Sequence, residues 1–187
     1  MKANATKQPE PFIRYGQLPA GQVTFNVLST EQPDPEDTNE RWEYSFVEVD
    51  ENRRDKIIKA VIRSKYNQDD VEALLANFQK GKKIVEFMQF QNFRDLAKAV
   101  AVGKYLAAEL KEFYDRKIFE IQMPFSETLN GGNYASLADY AIKAKNFSVA
   151  DVQNDIAYVY VSWILPDHRN LLESDAAVSI IEHPGIV

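Results

Sequence analysis

The sequence has no cysteine among its 187 residues and only two histidines. The lack of cysteine excludes disulfides, zinc–thiolate sites and thiol catalysis. No run of apolar residues approaches the roughly 18 that a transmembrane helix needs. The N-terminal MKANATKQPEP has no apolar segment of the kind found in export signals. These absences predict a soluble protein that is held together without disulfides and has neither a membrane span nor an export signal.

Recognisable catalytic motifs are also missing. The chain contains no phosphate-binding loop, nucleophile elbow or HExxH string. His168 and His183 each lie in a turn-like, proline-adjacent setting, and nothing in their spacing brings them together with carboxylates. We interpret them as surface side chains. The sequence therefore predicts a protein that is not an enzyme.

Two acidic segments are candidates for cation sites. Asp69, Asp70 and Glu72 stand at a predicted helix start, where capping and the helix dipole account for their charge. The acidic loop over residues 31–40 lacks the spaced glycine and oxygen ligands of a calcium-binding EF-hand loop. We predict no metal and no cofactor.

Charge is distributed unevenly along the chain, although the composition is that of an ordinary globular protein. Residues 1–50 carry 4 basic and 9 acidic side chains, residues 51–117 carry 15 and 10, and residues 118–187 carry 3 and 9. The net charges are thus −5, +5 and −6, which add up to the −6 of the whole chain. Such a pattern can balance within one fold or pair neighbouring copies.

Residues 1–20 are predicted to form an extended arm, because three prolines in this segment disfavour helix. The arm nevertheless carries four apolar side chains, more than a solvated tail needs: Phe12, Ile13, Tyr15 and Leu18. We predict that these four side chains form an interface, with either the flank of the domain or another chain.

The next residues alternate in the manner of strands. Residues 22–30 and 42–50 each place apolar side chains at every second position, and an acidic loop separates them. This pattern predicts an antiparallel strand pair. Helical periodicity follows at about 52–65, in a second helix that Asn67 can cap, and in one long helix over 83–117 with a possible bend at Gly103.

From residue 118 the pattern returns to strands. A strand at 118–124, a helix from Asn133 to about Lys145, a strand at 156–165 and a closing strand near 177–183 predict a β-α-β-β unit. The chain is therefore expected to be α+β, with an arm at 1–20, a strand pair plus helical domain at 21–117 and a small α+β unit at 118–187.

The first predicted helix is strongly basic on the side opposite its isoleucines. Its cations include Arg53, Arg54, Lys56 and Arg63, together with Lys59 and Lys65. One interpretation is a solvated face or a face docked on acidic protein. The other is contact with nucleic acid, which the overall pI of about 5.1 disfavours. We predict an anionic partner at Arg53, Arg54, Lys56 and Arg63 if this helix binds one.

Residues 11–101 resemble small uncharacterised proteins encoded by tailed phages and prophages of gut Bacteroidetes. The segments that carry the resemblance are RYGQLP (14–19), VTFN (23–26), PEDT (35–38), WEY (42–44), DKIIKAVIRSKY (55–66), DDVEALLAN (69–77) and FQNFRDLAKAVA (90–101). The resemblance implies a phage context, and it assigns no activity and no functional residue.

Together these observations predict a non-enzymatic phage structural or assembly protein, a component of the tail, neck or capsid surface that acts through protein–protein contacts. Its partners would be other phage structural proteins and copies of itself, with no membrane involved. It would occupy the host cytoplasm during synthesis and then the virion. The alternative is a regulatory or host-takeover module that binds protein or nucleic acid through the basic first helix.

Overall fold

The computed structural model describes residues 1–30, 41–124, 150–153 and 156–187. The acidic loop at 31–40 and the helix predicted from Asn133 lie outside the described residues. The strands are β1 (Lys2–Ala5), β2 (Phe12–Arg14), β3 (Gly21–Thr30), β4 (Arg41–Val49), β5 (Lys117–Pro124), β6 (Ala150–Gln153), β7 (Ile156–Val161) and β8 (Ser179–Pro184). The helices are α1 (Arg54–Arg63), α2 (Gln68–Gln79), α3 (Ile84–Val100), α4 (Ala107–Tyr114) and α5 (Pro166–Glu173). The predicted α+β class is confirmed.

The chain divides into two compact units that interleave in sequence. One unit comprises residues 1–71 and 92–114, and the other comprises residues 72–91 and 115–187. The arm over residues 1–20 is therefore an integral part of the first unit. Residues 72–91, which the sequence pattern grouped with the preceding segment, belong to the second unit.

The first unit contains a four-stranded antiparallel sheet in the order β1-β4-β3-β2. The predicted antiparallel pair is confirmed as β3 and β4 at its centre. The two strands of the arm lie on either side of that pair, so the arm supplies both edges of the sheet. Backbone pairing with β3 and β4 compensates for the conformational entropy that is lost when the arm is ordered.

The two faces of this sheet differ in burial. Register and strand alternation place Val23, Phe25, Val47 and Val49 on one side, which we call the inner face, and all four are buried. The opposite side, the outer face, includes Ile13, Tyr15, Tyr44, Phe46 and Glu48, which are half-buried or exposed. Thr24 also lies on this side but is buried, and its hydroxyl donates to the C=O of Glu10. The sheet thus has one face in the core and one facing outward.

The helices begin and end mostly as the sequence indicates. Asn67 caps α2, since its Oδ1 accepts the N–H of Asp70 at 2.8 Å and its own N–H is bonded to the Asp70 carboxylate at 3.0 Å. No residue of α2 is fully buried: Val71, Leu74 and Phe78 are half-buried, and Leu75 is 41% exposed.

The prediction of a single long helix over residues 83–117 is wrong. The structure has α3 and α4, joined by a turn in which Gly103 has a φ of +99°. A left-handed residue of this kind ends a helix, and glycine adopts it without steric cost. Glu109 then stabilises the start of α4, where its carboxylate accepts the N–H groups of Tyr105 and Leu106, each at 3.0 Å.

The second unit contains another four-stranded antiparallel sheet, in the order β6-β7-β5-β8. The predicted strands at 118–124 and near 177–183 are confirmed as β5 and β8, and the strand at 156–165 is confirmed but ends at Val161. One core cluster, consisting of Ile121, Met123, Val159, Val161 and Leu172, packs α5 on this sheet. A smaller cluster joins Ile118 to Ile84 and Met88 of α3.

Candidate protein-interaction surfaces

The edge strand β2 presents free backbone groups along its outer side. The N–H of Thr24 bonds the C=O of Pro11 at 3.0 Å, and the N–H of Tyr15 bonds the C=O of Ala20 at 3.0 Å. Because backbone groups alternate in direction along a strand, the N–H and C=O of Phe12 and Arg14 point away from β3. Among the described strands, none pairs with this side of β2. The edge is therefore able to accept another strand.

The four apolar residues predicted in the arm separate into two groups. Ile13, Tyr15 and Leu18 are 38%, 40% and 61% exposed. Phe12 instead belongs to the inner face, where its ring lies against Gly21 so closely that a β-carbon on that glycine would be 2.5 Å from the ring. Ile13, Tyr15 and Leu18 are thus available for an interface, and Phe12 attaches β2 to the core.

The outer face also carries aromatic side chains on β4, which is separated from the β2 edge by β3. Tyr44 and Phe46 of β4 lie with ring centroids 6.2 Å apart and are partly exposed. On the same face, the Tyr15 hydroxyl donates a hydrogen bond to the Glu48 carboxylate, with an O···O distance of 3.2 Å. Tyr44, Phe46 and Glu48 were not among the predicted site residues; the signal that could have found them is strand alternation, which puts positions 44, 46 and 48 on one side.

The basic side chains between residues 53 and 63 do not act together. Arg53 is bonded bidentately to Asp55, with one N···O distance of 2.8 Å, and it also lies 3.4 Å from Glu51. This contact lowers the pKa of Asp55 to about 2 and raises that of Arg53. Arg53 is therefore neutralised by its own neighbours and offers little charge to a partner.

Three other cations of α1 line a groove beside β4. The side chains of Lys56, Lys59 and Arg63 form no hydrogen bond or ion pair within the described part of the chain. The groove has a volume of about 440 Å³, and the facing wall is formed by Met1 and consecutive residues 46–50. Of the four residues predicted to meet an anionic partner, the structure brings together only Lys56 and Arg63 here, with Lys59 between them; Arg53 and Arg54 do not line it.

One histidine–carboxylate contact occurs in the second unit. His183 Nε2 lies 3.1 Å from Glu120 Oε2, and the other carboxylate oxygen of Glu120 accepts the Gln122 amide at 2.7 Å. Register places these residues on one side of the sheet, where the contact links β5 to β8. The His168 side chain lies outside the described part. No cluster of three His, Asp or Glu side chains able to hold a metal occurs in the described ranges.

Comparisons of the chain with known protein families, with curated proteins and with solved structures find no match. Among the described residues, no helix combines the length and the apolar character needed to cross a membrane.

Proposed function

We propose that the protein is a non-enzymatic structural or assembly component that acts through protein–protein contacts, in the tail, neck or capsid surface of a phage particle. The phage context is supported by the sequence resemblance over residues 11–101. The molecular role is supported by one observation above the others. Among the described strands β2 is an open sheet edge, and it is flanked by exposed Ile13, Tyr15 and Leu18.

The partner for this edge is a second copy of the chain. The outward N–H and C=O groups of Phe12 and Arg14 are arranged so that two β2 strands can pair antiparallel about a two-fold axis at Ile13. Phe12 of each copy would then exchange two backbone hydrogen bonds with Arg14 of the other. The two Ile13 side chains would face each other directly, where the two strands approach most closely.

The neighbouring apolar residues add area to this contact. Ile13 and Tyr15 lie on the outer face, and Leu18 lies in the turn that follows β2. Because only 38–61% of each side chain is still exposed, covering the remainder contributes about 1 kcal/mol per side chain before association costs. A three-residue edge with three apolar side chains suits a subunit contact that is weak in isolation and is strengthened by repetition in a particle.

The variant Arg14→Pro tests the edge directly. The Arg14 N–H points outward, so proline removes a donor that a partner strand needs while leaving the bonds between β2 and β3 in place. Arg14→Ala is the matched control, because it removes the charge and keeps the N–H. Sedimentation velocity over a concentration series should show self-association in the parent chain and in Arg14→Ala, and a monomer in Arg14→Pro.

The particle context requires a separate measurement. Mass spectrometry of purified particles and of assembly intermediates should detect the protein at a fixed ratio to other structural proteins. Production during infection without incorporation into either would exclude the structural role. A chain that remains monomeric at all concentrations would exclude self-pairing through β2.

A further inference from the structure

The groove between β4 and α1 offers a second interaction surface, distinct from the β2 edge. It lies within the first unit, and its lining combines strand residues 46–50 with Lys56, Lys59 and Arg63 of α1. Consecutive residues of a strand point to alternate faces, so five in a row can line one groove only along the strand's edge. The exposed element is therefore the backbone edge of β4.

The backbone of Glu48 points into this groove. Phe46 exchanges two bonds with Met1: its N–H donates to the Met1 C=O at 2.9 Å, and its C=O accepts the Met1 amino group at 3.3 Å. Glu48, two residues further along β4, has the same backbone orientation. Strand β1 pairs with β4 only over residues 42–45, and no described strand continues it alongside Glu48.

The opposite wall is cationic. Lys56, Lys59 and Arg63 are spaced by three and four residues, which is about 4.5 and 6 Å along a helix axis. Side chains two residues apart on an extended chain are about 6.8 Å apart on one face. Two acidic side chains in that arrangement match the spacing of the cations. The volume of about 440 Å³ is within the usual range for binding sites.

We propose that this groove binds an extended segment of a partner protein, which adds to the edge of β4 as a short strand and places two acidic side chains, separated by one residue, against Lys56, Lys59 and Arg63. The proposal rests on the proposed function, of which it names a second contact and the chemistry of its partner. The central residue of the segment would exchange two backbone hydrogen bonds with Glu48.

The Glu48 side chain determines which residue the bound segment has at its centre. The residue paired with Glu48 projects on the outer face beside the Glu48 side chain, where an acidic residue would be repelled and a lysine attracted. Its two neighbours project on the inner face beside Val47 and Val49, which line the groove together with the three cations of α1. The preferred segment is therefore Glu-Lys-Glu rather than a uniform polyanion, which distinguishes a peptide from nucleic acid.

Fluorescence anisotropy of a labelled peptide, acetyl-Ala-Val-Glu-Lys-Glu-Val-Ala-amide, with the full chain at low salt tests the proposal. Lys59→Glu and Arg63→Gln should each weaken binding, the charge reversal by about tenfold. Arg54→Glu is the matched control, because it makes the same charge change on the same helix outside the groove, and it should alter the affinity by less than about twofold. Circular dichroism confirms that each variant is folded.

The backbone contribution is tested from the side of the peptide. Replacing the central lysine by proline removes the N–H that Glu48 would accept, whereas replacing it by alanine keeps that N–H. The proline peptide should bind about tenfold more weakly than the alanine peptide. Equal binding of the two would overturn strand addition.

Three other results would also overturn the proposal. They are no binding of the parent peptide at millimolar concentration, equal losses for Arg54→Glu and Lys59→Glu, and tighter binding of a single-stranded DNA oligonucleotide than of the peptide. The last result would assign the groove to nucleic acid. Self-association blocked by Arg14→Pro is independent of all three, so the groove can fail while the assembly function stands.

Discussion

The Tyr15 hydroxyl donates a hydrogen bond to the Glu48 carboxylate at 3.2 Å, across the outer face of the first sheet. The bond joins the loop after β2 to the strand on the far side of β3. Glu48 therefore has two roles. Its side chain holds the segment that follows the β2 edge, and its backbone lies along the groove between β4 and α1. The two surfaces share this residue although they lie at different edges of the sheet.

The Tyr15–Glu48 contact predicts a pH dependence. Partial burial of the tyrosine, and then its bond to the Glu48 carboxylate and the negative charge there, raise the pKa of Tyr15 above its ordinary 10.0. Because the folded pKa is the higher one, the stabilising effect is complete below pH 10.0 and is lost as the pH rises through the folded pKa. The difference between the tyrosinate absorbance titrations of the parent and Tyr15→Phe should have its midpoint above pH 10.0.

Glu48→Gln provides the control for that titration. Glutamine keeps an acceptor for the Tyr15 hydroxyl and removes the charge, so the midpoint assigned to Tyr15 should fall towards its ordinary value. A parent midpoint at or below that value would contradict the contact.

Gly21→Ala should detach β2 from the sheet. A β-carbon at this position would lie 2.5 Å from the Ile13 carbonyl oxygen and 2.5 Å from the Phe12 ring. Backbone and ring would both have to move, at a cost of about 1–3 kcal/mol. Hydrogen exchange should show faster exchange at Ile13, whose N–H bonds β3, while β4 retains its protection. Gly16→Ala is a suitable comparison, since nothing lies within 4 Å of a β-carbon there, although its φ of +62° adds backbone strain.

Glu109→Ala should destabilise the first unit by about 1 kcal/mol at neutral pH, as for the loss of a helix cap. The carboxylate accepts the N–H groups of Leu106 and Tyr105, and these two bonds lower the pKa of Glu109 below its ordinary 4.5. The contribution is therefore complete above pH 4.5 and is lost as the pH falls through the folded pKa. Urea unfolding at neutral and acidic pH should show the difference between parent and variant shrinking in acid. A difference independent of pH would contradict this role.

Leu172→Ala should destabilise the second unit by about 2–5 kcal/mol. Leu172 is 1% exposed and belongs to the cluster that packs α5 on the second sheet. Leu75→Ala is the matched control, because Leu75 is 41% exposed and the same truncation there should change stability by less than about 0.5 kcal/mol. Urea unfolding of both variants measures the two values, and similar losses would refute the assignment of Leu172 to the core.

Much of the fold follows from local pattern. The strand pair β3–β4, helix α1, the Asn67 cap of α2 and the strands β5, β7 and β8 were predicted, because alternation, helical periodicity and capping chemistry are properties of neighbouring residues. The break between α3 and α4 was missed, since Gly103 was treated as a bend within one helix. Strand β6 was not predicted; it is four residues long, and its pairing with β7 is what defines it.

The candidate surfaces depend on contacts that sequence spacing does not reveal. The arm's apolar residues and the basic character of α1 are visible in the sequence alone. That β1 and β2 become the two edges of one sheet, that Phe12 faces inward while Ile13 faces outward, and that Glu48 lies between the two surfaces were decided by tertiary structure. Likewise, Arg53 is neutralised by Asp55 and Glu51, while Lys56, Lys59 and Arg63 line a groove with residues of β4.

The physical reason is that propensity, capping and alternation act over a few neighbouring residues. Strand order, edge exposure and the pairing of charges are instead fixed by distant segments, which satisfy each other's backbone groups and bury each other's apolar side chains.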